Sequence, residues 1–137
     1  MTTREAAMKY KPEFFQPQEF VCRCCGAGQP AALLVVFLEL VRRAWDGPIV
    51  VNSGFRCPKH NAAVGGVPRS RHLIGCAADI RPADAVFIEP FKFLISHLTA
   101  RLEGWEVKMY ERFVHVGVPR EEAAHPWTGG LISILAK

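Results

Sequence analysis

The chain has 137 residues, a formal net charge of +4 at pH 7, 50% hydrophobic residues and 22% charged residues, a composition that fits one globular domain and leaves no room for a second. At this length roughly two thirds of the unfolded chain's surface is buried on folding, so a conventional core carries the fold without a disulfide framework. The hydrophobic content excludes a disordered chain, and ten prolines with eleven glycines argue against an all-helical bundle.

The longest apolar run, residues 31–38, falls far short of the roughly 20 residues needed to cross a bilayer, so no membrane partner is expected. The basic residues are dispersed rather than clustered, which argues against a nucleic-acid groove. No apolar stretch follows the charges of residues 1–11, so no secretory signal is expected and synthesis is assigned to the cytoplasm. A monomer with one domain over residues 1–137 is expected.

In chain order, residues 1–30 read as an extended arm, broken by Pro12, Pro17, Gly26, Gly28 and Pro30 and pinned by Phe14, Phe15 and Phe20. Ala31–Trp45 reads as a helix, because Leu34, Phe37, Leu38, Val41 and Trp45 recur at three- and four-residue steps while Glu39, Arg42 and Arg43 take the opposite face. Asp46-Gly47-Pro48 ends it. Ile49-Val50-Val51 reads as a buried strand, and residues 52–72 as one long ordered loop, a kind of segment that is usually functional. A strand is expected at residues 76–80, a second helix at 87–102 broken early by Pro90, two strands or a hairpin within 105–118 around Tyr110, and a last strand at 131–135. Helices and strands mix without a βαβ rhythm, so the expected fold is a small α+β domain of helices and antiparallel sheet.

Three residues stand out as metal ligands: His72, Asp79 and His115, the first two seven positions apart and the third on a distant element. Imidazole and carboxylate suit zinc, and three protein ligands leave a fourth position open, which is the catalytic arrangement. Alternation in Phe113-Val114-His115-Val116 places His115 and Phe113 on one strand face and the valines on the other. His60, His97 and His125 have no partner at metal spacing and read as surface or hydrogen-bonded residues.

Four motifs occur in order: Ser53-Gly54-Phe55-Arg56, Asn61-Ala62-Ala63-Val64-Gly65-Gly66, Ser70-Arg71-His72-Leu73-Ile74-Gly75-Cys76-Ala77-Ala78-Asp79, and Phe113-Val114-His115-Val116. Together with Glu19-Phe20-Val21-Cys22-Arg23-Cys24-Cys25-Gly26, this set resembles the zinc D-Ala-D-Ala carboxypeptidase family, peptidase M15, and by pattern its small phage and prophage endolysin-type members. The resemblance implies an α+β fold of the hedgehog and D-Ala-D-Ala peptidase kind with a single Zn2+. It further implies hydrolysis of peptide bonds in peptidoglycan stem peptides, either trimming of a terminal D-alanine or cleavage of an internal bond of the L-Ala-D-Glu type. His72, Asp79 and His115 match the zinc ligands, Arg56 matches an arginine that acts on the substrate carbonyl, and Ser70 matches a serine that hydrogen-bonds substrate. A protein of this kind acts at the cell wall after release from the cytoplasm or as part of a virion.

The chain departs from that pattern in two places. Gly117 stands where relatives often carry an aspartate, and Arg112 stands where many place the catalytic acid. Glu111 shares parity with His115 if the strand is regular and is the expected general base, with Glu106 in reserve. These departures also keep open a second reading, a zinc-dependent binding module that has lost its base. The five cysteines form no complete pair of Cys-x-x-Cys knuckles. They read as reduced thiols or one disulfide, with Cys57 in the long loop, where a tie to the N-terminal group is one option, and Cys76 in a core strand; the pairing stays open.

Overall fold

A computed structural model describes residues 9–133. Its strands and helices are β1 (Lys9–Tyr10), α1 (Ala32–Trp45), β2 (Ile49–Ser53), α2 (Pro58–Ala63), β3 (Ala77–Pro82), α3 (Ile88–Thr99), β4 (Glu106–Met109), β5 (Val114–Gly117) and β6 (Ile132–Ser133), with short 3₁₀ turns between several of them. The fold is α+β. β2, β3, β5 and β4 form, in that order, one four-stranded antiparallel sheet, and β1 pairs with β6 apart from it. Among the described residues no helix is long and apolar enough to cross a membrane.

The sheet has two unlike faces because side chains alternate along each strand. Val51, Ile80 and Val114 lie in one cross-strand row, and Ala78 and Val116 in the next. These buried residues meet Leu34 and Leu38 of α1 and Phe91 and Ile95 of α3 in one core. On the other face, Ser53, Asp79, His115 and Lys108 form a single row across all four strands. Strict alternation would put Ser53 on the core face with Val51. The register shifts between those two residues, and such a bulge turns the following side chain to the opposite face.

α1 begins one residue later than the sequence pattern indicates and ends at Trp45; the following Asp46 has a left-handed φ of 56° and its N–H caps the Arg42 carbonyl at 3.0 Å. Glu39 departs from its expected place on the solvent face, being fully buried. Its carboxylate accepts from the Tyr10 hydroxyl at 2.6 Å and from the backbone N–H groups of Glu13, Phe14 and Phe15 at 2.7, 2.8 and 3.0 Å. An acidic side chain can be buried when hydrogen bonds satisfy it, and hydrophobic periodicity does not register that condition. The arm is thus held by Glu39 as well as by buried Phe15 and Phe20.

The helix expected at 87–102 spans Ile88–Thr99 and is not broken by Pro90. Pro90 lies in the first turn, where backbone N–H groups have no helical partner to lose. The expected loop at 52–72 contains α2, which starts with Pro58 and is capped by the Cys57 thiol accepting from the His60 N–H at 3.4 Å. The last strand is observed at Ile132–Ser133, and the remainder of its expected range lies outside the described residues, as do residues 1–8 of the arm.

Candidate metal centre

The long loop delivers two of the site's side chains. After Ser53, Gly54 packs so closely on the Phe20 backbone that a Cβ there would lie 2.6 Å from the Phe20 carbonyl oxygen. This contact fixes the Gly54 carbonyl, which accepts from Nδ1 of His72 at 2.7 Å. His72 itself sits in a short 3₁₀ turn, Arg71–Ile74, whose N-cap is Ser70; the Ser70 hydroxyl oxygen accepts from the His72 N–H at 3.2 Å. Gly75 closes the turn at a φ of 74°, a conformation that favours glycine, and hands the chain to β3 and Asp79.

His72, Asp79 and His115 are all buried, and one ligating atom from each lies within 4.8 Å of the others. Oδ1 of Asp79 stands 3.2 Å from Nε2 of His72 and 3.0 Å from Nδ1 of His115. Each histidine uses its other nitrogen outward: Nδ1 of His72 donates to Gly54, and Nε2 of His115 donates to Oε1 of Glu106 at 2.6 Å. The inner ring nitrogens, Nε2 of His72 and Nδ1 of His115, thus face one carboxylate oxygen. Burial pushes the Asp79 carboxyl up, but its contacts with His115 and His72 outweigh this and hold it far below the usual carboxylate range. Three such groups facing one another in a buried place need shared protons or a metal ion among them, and their ligating atoms are close enough to hold one ion. The set of two imidazoles and a carboxylate, each imidazole anchored by an acceptor behind it, fits zinc.

Arg56 stands beside the cluster. Its guanidinium donates from Nη2 to Oδ2 of Asp79 at 3.1 Å, from Nε to the Ser53 hydroxyl at 3.0 Å and from Nη1 to Oδ1 of Asn61 at 3.3 Å. Asn61 is itself anchored through its amide to the Val67 carbonyl at 2.9 Å. Gly66 leaves room for this amide, since a Cβ there would collide with it. The glycine-rich motif therefore positions Arg56 indirectly.

A cleft of about 230 Å³ opens over the cluster between residues 64–67 and the β4–β5 hairpin, with Arg56, Ser70, Lys108, Tyr110 and Phe113 on its walls. The Tyr110 and Phe113 rings stack at 4.5 Å and give one wall an apolar surface. Arg56 and Lys108 make the floor electropositive around the carboxylate.

The structure brings His72, Asp79, His115, Arg56 and Ser70 together at this cleft. It does not bring Glu111 there. β5 begins at Val114, and residues 110–113 form the turn closed by the Tyr110 N–H on the Phe113 carbonyl at 3.0 Å, so the parity of a regular strand does not extend to Glu111, which is exposed. Glu106 contacts His115 instead. Burial pushes its carboxyl up, but the His115 contact outweighs this and leaves it below its ordinary value.

Glu106 pairs directly with Gly117 across β4 and β5, and a Cβ at Gly117 would stand 3.2 Å from its Cβ. The missing side chain at position 117 makes room for a carboxylate from the neighbouring strand. Ser53, Asn61 and Lys108 were not singled out by sequence reasoning. The first two lie inside the motifs that hold Arg56, while Lys108 joins the row only through strand register. Among the described residues, His60, His97 and His125 belong to no ligand cluster.

A sequence model of the Peptidase M15 family matches residues 12–117, a span that includes every residue of the cluster. Over 44 residues the chain is 50% identical to the zinc D-Ala-D-Ala carboxypeptidase of Streptomyces albus G, a segment covering 31% of this chain and 17% of that protein.

Proposed function

The chain belongs to the Peptidase M15 family, and from that premise we propose that it is a zinc metallopeptidase hydrolysing peptide bonds in the stem peptides of bacterial peptidoglycan. The observation that carries this reading is the convergence of Nε2 of His72, Nδ1 of His115 and Oδ1 of Asp79, with both outer nitrogens already engaged. His72, Asp79 and His115 would hold the zinc, which would supply an acidified water and polarise a carbonyl.

The chain's own residues do the remainder. Arg56, fixed on three sides, keeps further N–H donors for the oxygen that gains charge as the peptide bond is attacked. Ser70 is committed as an acceptor to the His72 N–H, which leaves its hydroxyl proton for the substrate backbone. Lys108 attracts a substrate carboxylate, and Tyr110 and Phe113 cover its apolar parts. Glu106 is a positioning residue that holds the proton on Nε2 of His115 so that Nδ1 faces the metal. The place of action is the cell wall, reached after release from the cytoplasm or as a virion component.

The test is digestion of purified sacculi by the zinc-loaded protein and by a chelated sample, with fragments identified by mass spectrometry. Zinc-dependent fragments establish the peptidase and name its bond. Intact sacculi with zinc still bound give the alternative reading, a zinc-dependent binding module; the absence of both Glu106 and Glu111 from the cleft wall favours it.

In the same assay Glu106→Gln is expected to lower kcat by about 10- to 100-fold with KM little changed, whereas Glu111→Gln, an exposed change, stays within about twofold. The reverse order would transfer the carboxylate role to Glu111.

A further inference from the structure

Away from the cleft, three thiols gather where the N-terminal arm meets the long loop. The chain turns tightly over residues 22–27, with the Cys22 N–H on the Ala27 carbonyl and the Gly26 N–H on the Cys22 carbonyl, both at 2.8 Å, and Gly26 at a φ of 72°. This turn faces Cys57 at the start of α2. The sulfur atoms of Cys22, Cys24 and Cys57 lie within 4.8 Å of one another, those of Cys24 and Cys57 at 3.9 Å. Cys25 follows Cys24 in the same turn. From this geometry we propose that Cys22, Cys24 and Cys57 form the core of a second metal site, a structural thiolate centre for zinc, with Cys25 of the same turn as its fourth ligand.

A tetrahedral zinc with Zn–S bonds of about 2.3 Å separates its sulfurs by about 3.8 Å, close to the Cys24–Cys57 spacing. Thiolate sets are soft ligands that select zinc over the hard cations. The backbone is already arranged for negative sulfur: the Cys57 N–H donates to the Cys22 sulfur and the His60 N–H to the Cys57 sulfur, each at 3.4 Å. Four protein ligands close the coordination shell, which makes the site structural rather than catalytic. Each ligating thiol passes its proton to solvent as the metal binds.

The two halves of the site are far apart in sequence and come together only in the folded chain, which is why the missing second knuckle pointed away from it. The centre ties the arm to the residue next to Arg56, and so fastens the loop that holds the guanidinium against Asp79.

The test uses the full chain, purified with reductant and assayed for zinc content and for its absorption with Co2+ in place of zinc. Wild type is expected to hold about two metal equivalents, with thiolate-to-cobalt charge-transfer absorption. Cys24 and Cys25 are exposed, so a Cys24→Ser, Cys25→Ser variant keeps the core packing; it should lose about one equivalent and the charge-transfer band. The wild-type spectrum serves as a readout that does not depend on any variant folding. Absence of that band, or a Cys24–Cys57 disulfide found by mass mapping of the zinc-treated protein, would overturn the proposal.

Discussion

Replacing His115 with alanine is expected to reduce zinc-dependent hydrolysis by at least about 10³-fold, since the metal's contribution to charge stabilisation amounts to several kcal/mol and each 1.36 kcal/mol is tenfold in rate. His115 supplies Nδ1 to the cluster and ties Glu106 to it. Its loss removes one donor and releases the carboxylate that oriented the ring. The side chain lies on the site face of β5 while Val114 and Val116 carry that strand's core contacts, so the fold should persist. The check is metal content and circular dichroism beside the sacculus assay, with exposed His97→Ala as control. A variant that keeps both zinc at the cluster and wild-type turnover would sink the assignment.

Glu39→Ala is expected to cost about 3 kcal/mol or more, because it strands an arm hydroxyl and three backbone N–H groups that the carboxylate now satisfies. That is a large share of the roughly 5–15 kcal/mol by which a domain is stable, and it corresponds to a melting temperature lower by about 10 °C. Glu39→Gln keeps an acceptor and the shape of the side chain, so it should fall between wild type and alanine. Urea unfolding of the three proteins measures this. A loss below about 1 kcal/mol for Glu39→Ala would mean that the arm adds little to the folded state.

Glu39 also shows where reading the sequence stops. Periodicity sorts residues by polarity, and a glutamate three positions from an arginine pair looks solvated; only the fold reveals the four donors that an arm about 25 residues earlier brings to it. The metal cluster was legible because chemistry fixes the residue types and the motifs come in order. The helices were legible from their apolar spacing, apart from α2, whose six residues are too few to show a period. Glu106 was harder. Its contact with His115 depends on the β4–β5 register and on the absence of a side chain at Gly117, and register between strands is not written in either strand alone. The bulge that turns Ser53 toward Arg56 was hidden for the same reason.

The pairing of β1 with β6 has a mechanical consequence. Lys9 lies opposite Ser133 and Tyr10 opposite Ile132 in antiparallel register, so the outer ends of both strands leave from the same side of the pair. Tension applied through the two ends would unzip this pair one rung at a time instead of shearing it. The Tyr10–Glu39 bond would take the load next, on the N-terminal side. The four-stranded sheet that carries Asp79 and His115 lies behind both, shielded from a pull on the chain until these fastenings have opened.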